Sequence, residues 1–222
     1  SHSIRDSSRM STAVDLRVLE LICSRICHDL VSPVGAINNG VELIRELAEE
    51  NTPSGIEGEA LALIAHSAEQ GSRRLRVLRL AYGAAGADAP WEEQRVALTQ
   101  FFAGSRVTVV WPPERDAALP HGVRGFGKIL VNVVLLAADA LGQNGRITIE
   151  ARPGGAAVVA NGTAPALDVE RSAALSGKTA AADLDPRSFH AYVTQRFAAN
   201  YDVKLTVNPV ATDRLDFVLT AG

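Results

Sequence analysis

Apolar and small residues recur every three or four positions along the first part of the chain. The series consists of Leu16, Leu19, Cys23, Ile26, Leu30, Ile37, Val41, Ile44 and Ala48. Steps of three and four residues are those of a heptad seam on one long helix, so the pattern predicts a helix from Val14 to Glu49. The proline and the glycine between Glu49 and Gly55 predict a turn after this helix.

A second helix with a matching seam follows that turn. Its seam positions are Ile64, Ala68, Gly71, Leu75, Leu78 and Tyr82. Two long helices joined by a short link predict an antiparallel hairpin. One hairpin cannot bury the apolar residues on both of its faces. We therefore expect two hairpins to pair into a four-helix bundle, which makes the protein a homodimer.

One histidine lies off the seam of the first helix. His28 is two residues from Ile26 and two from Leu30, so its ring should point to solvent, and Asp29 places a carboxylate beside it. Pro33 lacks a backbone N–H and should bend the helix within about one turn of the histidine. From these residues alone, a reactive histidine and an ordinary surface histidine beside a tolerated kink remain equal alternatives.

The rest of the chain alternates helix and strand patterns. Small residues and a proline between positions 84 and 90 predict a linker, so the expected domains are residues 10–85 and 88–222. Helices are predicted at Trp91–Phe102, Val123–Leu141 and Pro186–Asn200, and strands at Arg106–Trp111, Arg146–Ala151, Ala156–Ala160, Lys204–Val207 and Leu215–Leu219. This order indicates a two-layer α/β sandwich, which gives an α+β protein with an N-terminal helical hairpin.

Composition and charge exclude several classes of protein. The 222 residues are 47% hydrophobic and 21% charged, as in a soluble globular protein, and a net charge of −3 gives no reason to expect a nucleic-acid surface. The sequence has neither an apolar run of roughly 18 residues nor a visible signal peptide, so we expect a cytoplasmic protein without a membrane segment. Cys23 and Cys27 are predicted to be reduced, helix-packing thiols and not zinc ligands.

The segment around the off-seam histidine resembles the phosphoacceptor box of two-component histidine kinases. In His-Asp-Leu-Val-Ser-Pro-Val-Gly-Ala-Ile, the histidine, acidic residue, leucine and proline of that box fall on His28, Asp29, Leu30 and Pro33. The element order after residue 88 is similar to that of the ATP-binding domain of the same kinases. The resemblance implies a histidine-kinase-ATPase-like α/β sandwich after the hairpin.

The nucleotide motifs of that ATP-binding domain are incomplete in this chain. Asn132 matches the first of two family asparagines, but Leu136 replaces the second, which holds magnesium in the family. Ala160–Ala164 aligns with Asp-x-Gly-x-Gly and lacks both the aspartate and the last glycine, and Asp185–His190 stands where the family has a glycine-rich lid. The resemblance therefore implies that the protein does not use ATP and has no cofactor of its own.

An intact acceptor hairpin with a degenerate nucleotide domain resembles the ChpT-type histidine phosphotransferases, as do Ala62–Ala68 and Tyr82–Ala84. That resemblance implies that His28 takes a phosphoryl group from the receiver domain of a hybrid histidine kinase and passes it to response regulators. Mg²⁺ is then expected in the partner receiver, and Asp29 would orient the ring or accept its proton. Two alternatives remain: an active histidine kinase fragment, and a non-catalytic pseudokinase that binds response regulators.

A partner receiver should dock on the exposed side of the first helix and also touch the second domain. The residues that share this side with His28 are Val31, Ser32, Gly35, Ala36 and Asn39. Arg25 either offsets phosphoryl charge or is an ordinary solvated arginine, and His66 is expected to be an ordinary helix residue. A basic group on the second helix is either a solvated face or a patch for an acidic receiver, and consists of Arg73, Arg74, Arg76 and Arg79.

Overall fold

The computed structural model describes residues 15–50, 56–142 and 144–222. Helix α1 (Leu16–Glu50) and helix α2 (Ile56–Tyr82) form the predicted antiparallel hairpin. The turn predicted between them and the predicted start of the first helix at Val14 lie outside the described residues. None of the helices in the described ranges is long and apolar enough to cross a bilayer.

Helix α1 has an inner and an outer apolar face. Its inner face is buried against α2 and the second domain and contains Val18, Leu21, Pro33, Gly40 and Leu47. The heptad seam predicted from the sequence lies mostly on the outer face, where Leu16 is 75% exposed. On α2 the seam residue Leu75 is 52% exposed. The single chain therefore leaves an apolar stripe on the outside of its hairpin.

The second domain is built from four helices and five strands within the described ranges. The helices are α3 (Trp91–Phe101), α4 (Phe126–Leu141), α5 (Val169–Leu175) and α6 (Phe189–Asn200), and the strands are β1 (Val107–Val110), β2 (Gly145–Arg152), β3 (Gly155–Asn161), β4 (Val203–Ala211) and β5 (Arg214–Ala221). They form one sheet in the order β1-β2-β3-β5-β4. Only the β1–β2 pair is parallel among these strands.

The core of this domain lies between α4 and the sheet. Phe126 and Ile129 of α4 are fully buried, as are Ile147 of β2 and Phe217 of β5. Apolar residues at the end of α2 belong to the same core, namely Val77, Leu80 and Ala81. The end of the hairpin is therefore packed into the core of the second domain. The predicted linker contains a short 3₁₀ helix, Ala84–Ala87, rather than an open strand of chain.

The predicted α+β fold is confirmed, although several elements begin or end a few residues from their predicted bounds and one short helix is additional. Helix α4 begins three residues later than predicted because Gly125 adopts a left-handed conformation (φ 78°), where a Cβ would overlap the ring of Tyr201. Helix α5 was not predicted. Its first turn is stabilised by the Asp168 side chain, which accepts a hydrogen bond from the Arg171 N–H at 2.7 Å.

Candidate functional site

The His28 side chain projects from α1 into solvent and is 85% exposed. Its Nδ1 lies 3.3 Å from Oδ1 of Asp29. Because an ionised carboxylate can only accept a hydrogen bond, this contact favours the tautomer with the proton on Nδ1. The Nε2 atom then keeps its lone pair and is available to a partner as a nucleophile.

Asp29 is held on the inner side of the same helix and is only 18% exposed. Its Oδ2 accepts a hydrogen bond of 2.9 Å from Nε of Arg25. Burial opposes the charge of Arg25, but the hydrogen bond and the negative charge of Asp29 outweigh it and raise the pKa of Arg25. Arg25 thus contacts Asp29 and not the imidazole. The two oxygens of Asp29 link Arg25 to His28.

The predicted partner surface is only partly exposed in the single chain. Val31, Ser32 and Asn39 are exposed on the same helix as His28, whereas Gly35 and Ala36 are half-buried. A Cβ added at Gly35 would meet nothing within 4 Å. The surface after His28 is therefore open, and a docking protein could approach the imidazole closely.

The arginines of α2 do not form the free basic face considered from the sequence. Arg73 contacts Glu69 on its own helix, and Arg74 donates from Nη1 to the carbonyl oxygen of Asp29 at 3.0 Å. The other two reach α3 of the second domain. Arg76 donates to Gln100 and Arg79 to Glu93. Three of the four arginines therefore connect α2 to another element.

A cleft separates the site on the hairpin from the second domain. It has a volume of about 390 Å³. One wall contains Arg25, Asp29, Gln70 and Arg74, and the other is the segment between α3 and β1 around residues 101–105. Sequence reasoning found neither Gln70 nor this segment as part of the site. Neither carries a chemical motif, and only the fold brings them to the cleft that Arg25 and Asp29 line.

The remaining asparagine of the nucleotide motif has a structural role. Asn132 is fully buried, and its Nδ2 donates to the carbonyl oxygens of Ala81 and Lys128, both at 2.9 Å. Its Oδ1 lies 3.1 Å from Nε2 of His190. Burial, followed by the charges of Arg25 and Arg171, lowers the pKa of His190 to about 3. This neutral network ties α4 to the end of α2 and to α6.

The segment in the position of a nucleotide lid folds onto itself. Asp185 Oδ1 accepts hydrogen bonds from the backbone N–H groups of Arg187 and Ser188, at 3.0 and 2.7 Å. The backbone N–H groups just before α6 are therefore already bound to this carboxylate. A phosphate at that helix terminus would need the same N–H groups. Leu136, in the position of the family's metal ligand, is fully buried.

The described residues show no His, Cys, Asp and Glu cluster able to hold a metal ion. Cys23 and Cys27 are free thiols. Both are exposed in the single chain, so neither is packed against another helix of the same chain. Cys23 instead lies on the outer apolar face of α1.

Comparisons with known proteins agree on one family. Residues 91–213 match the model of the histidine phosphotransferase C-terminal domain. Protein phosphotransferase ChpT of Brucella abortus (strain 2308) is 37% identical over 147 residues, which span 63% of this chain and 65% of that protein. A solved bacterial phosphotransferase shares 27% identity with a TM-score of 0.70, over 94% of this chain and 98% of that one.

Proposed function

This chain belongs to the histidine phosphotransferase family, and we propose on that basis that it carries a phosphoryl group in a two-component phosphorelay, with His28 as the acceptor. The donor is the aspartyl phosphate of a receiver domain on a hybrid histidine kinase, and the acceptors are response regulators. The proposed location is the cytoplasm, where such receivers work. The observation that carries the proposal is the exposed imidazole with its Nδ1 beside Asp29 and its Nε2 facing solvent.

The geometry supports an in-line transfer. The Nε2 lone pair attacks phosphorus while the bond to the aspartate oxygen of the receiver breaks, which leaves a free carboxylate and a phosphohistidine. Asp29 keeps the proton on Nδ1 and stabilises the positive charge that develops on the ring. Mg²⁺ in the partner receiver would neutralise phosphoryl charge. The second transfer reverses these steps towards another aspartate, so the chain contributes mainly position and charge.

The alternatives are an active kinase fragment and a non-catalytic pseudokinase. Asn132 has its side-chain atoms engaged inside the domain, and Leu136 supplies no metal ligand. These features favour a relay protein that does not use ATP. A pseudokinase would not need the exposed His28 ring and its Asp29–Arg25 support.

The direct test is phosphoryl transfer from receiver domains radiolabelled with acetyl phosphate. The wild-type chain should become labelled and should pass the label to a second receiver. His28→Ala should take up none, whereas the matched variant His66→Ala, at an exposed histidine of α2, should behave as wild type. Label on His28→Ala would refute the proposal that His28 is the phosphoryl acceptor. Labelling of the wild type by radiolabelled ATP would favour the kinase.

We also propose that the outer apolar stripe of the hairpin pairs with a second copy of the chain. Leu16 and Leu19 on α1 and Leu61 and Leu75 on α2 are large exposed apolar residues on the two helices. Large apolar residues in a stripe along two helices are typical of a surface covered by another protein. Coverage by the same stripe of a second chain would complete a four-helix bundle.

Light scattering should therefore give a mass of about twice 23.5 kDa. Leu75→Glu should shift the protein to the monomer, because it places a charge in the proposed interface. Val210→Glu is the matched control, since Val210 is equally apolar and exposed but lies on β4 at the far edge of the sheet. A wild-type monomer at micromolar concentration would contradict the bundle.

The receiver is proposed to dock over His28 and to contact the segment between α3 and β1 across the cleft. Ala103 is exposed at this segment, so Ala103→Glu should slow transfer from an acidic receiver pocket through charge repulsion. Ala211→Glu makes the same change on the opposite edge of the sheet and should have no effect. Equal transfer rates for the two variants would show that this segment of the second domain is not part of the docking surface.

A further inference from the structure

Pro33 leaves a gap in the backbone hydrogen bonds of α1 beside the acceptor histidine. It lies within the helix, four residues after Asp29. A helical carbonyl accepts a hydrogen bond from the N–H four residues later, and proline has no N–H. The carbonyl oxygen of Asp29 is thus left without its helical donor. An unpaired backbone acceptor away from water costs about as much as a lost hydrogen bond.

Arg74 of α2 supplies the missing donor. Its Nη1 lies 3.0 Å from the carbonyl oxygen of Asp29. The reach depends on a close approach of the two helices one turn away, where Gly71 faces Pro33. A Cβ added at Gly71 would lie 3.5 Å from Cβ of Pro33. Proline, glycine and arginine therefore form one arrangement, in which the ring packs against α2 and the guanidinium replaces the N–H that the ring removed.

Asp29 is consequently held at two points. Arg25 binds its carboxylate, and Arg74 binds its carbonyl oxygen. We infer that Arg74 is a positioning residue for His28: by replacing the helical hydrogen bond lost at Pro33, it fixes the backbone of Asp29 so that the carboxylate stays within reach of Nδ1. Arg74 acts through Asp29 and does not itself contact the imidazole. This inference rests on the proposed role of His28 as phosphoryl acceptor.

The test is a double-mutant cycle on the full chain with phosphoramidate as the phosphoryl donor. His28 Nε2 attacks phosphorus, the phosphorus–nitrogen bond breaks and ammonia leaves with the proton of the protonated donor. Because no receiver is present, an effect of Arg74 on docking cannot contribute. Arg74→Ala should slow labelling roughly tenfold, the size expected for one hydrogen bond from a charged donor. Arg73→Ala, whose partner Glu69 is on its own helix, should match wild type.

The decisive comparison is made in a Pro33→Ala background. The residue at this position then regains an N–H that can bind the carbonyl of Asp29, so Arg74→Ala should change the rate less than about twofold there. Equal losses with and without the Pro33→Ala substitution, or no loss in either background, would overturn the inference. If Pro33→Ala is itself inactive, Arg74→Lys decides: a retained donor should recover most of the rate, and a rate as low as that of Arg74→Ala contradicts the proposal.

A second readout separates this inference from the proposed function. Nitrogen–proton correlation spectra of the His28 ring should show the Nδ1–H tautomer in wild type and in Arg73→Ala, and a mixture of tautomers in Arg74→Ala. A wild type that takes no label would refute the acceptor role and leave this spectral comparison intact. Identical ring spectra for Arg74→Ala and wild type would refute the positioning role, even if labelling proceeds.

Discussion

The helical hairpin and the second domain differ in which of their polar and apolar side chains are exposed to solvent. In the hairpin, the His28 side chain lies in solvent and apolar residues such as Leu16 and Leu75 remain uncovered. In the second domain, large apolar residues such as Ile129 and Phe217 are fully buried, and the polar motif residue Asn132 is hydrogen-bonded inside. The hairpin exposes its candidate acceptor histidine and part of its apolar surface, whereas the second domain buries both its apolar residues and the remaining asparagine of the nucleotide motif.

The second domain is also required for the fold of the hairpin. The last turns of α2 contribute Val77, Leu80 and Ala81 to the core of the second domain. Removing that domain would expose these residues and free the Ala81 carbonyl bound by Asn132. Single substitutions are therefore better tests of the two regions than deletion of either one.

The largest expected effect is on the core of the second domain. Phe217→Ala should lower the free energy of unfolding by about 3–5 kcal/mol, because it removes a fully buried ring and leaves a cavity. Denaturant unfolding measures this change. Val210→Ala, at an exposed residue of β4, should change it by less than about 0.5 kcal/mol. Similar losses for the two variants would contradict the contrast in packing.

The next effect is a pH dependence that originates in the buried network. His190 has a pKa of about 3 when folded and an ordinary value of 6.5 when unfolded. Between these values the unfolded chain binds a proton that the folded chain does not. The free energy of unfolding should therefore fall as pH falls from 6.5 towards 3, by at most about 1.4 kcal/mol per pH unit from this residue.

His190→Gln should flatten this part of the stability profile, because the proton-binding difference is removed. His121→Gln is the matched control, since the His121 side chain is exposed and lies outside the buried network. Unfolding by denaturant at a series of pH values measures both. If the free energy of unfolding of His190→Gln still falls with pH as in the wild type, other groups cause the pH dependence.

A smaller effect is expected where the two regions meet on the surface. Arg79 of α2 pairs with Glu93 of α3, and both side chains are partly exposed. Arg79→Ala should cost about 0.2–1 kcal/mol, and the loss should shrink at high salt. Arg152→Ala breaks the Arg152–Glu150 pair within β2 and serves as the matched comparison. A loss that is independent of salt would argue for packing instead of an ion pair.

The smallest effect on stability should accompany the largest effect on transfer. His28→Ala removes an imidazole that is 85% exposed, so the free energy of unfolding should change by less than about 0.5 kcal/mol. Thermal unfolding of His28→Ala and of the wild type provides the measurement. A loss of several kcal/mol would mean that His28 stabilises the hairpin and that its inactivity reflects unfolding.

The amino-acid sequence by itself determined the features that depend on nearby residues. The three-and-four spacing specifies the two helices of the hairpin, and the same period turns His28 away from the seam with Asp29 beside it. Strand patterns and their glycine boundaries located the five strands to within a few residues. The confirmed fold class follows from this local information, whereas the role of His28 stays a prediction until it is labelled.

Only the tertiary structure decided the features that join residues distant in sequence. Arg74 meets the carbonyl of Asp29, 45 residues earlier, and Asn132 meets His190, 58 residues later. No periodicity predicts which arginine reaches a carbonyl that Pro33 leaves free, or that a motif asparagine turns inward. Such contacts depend on how closely two helices approach, and that distance is set by side-chain volumes at their crossing, here a glycine against a proline ring.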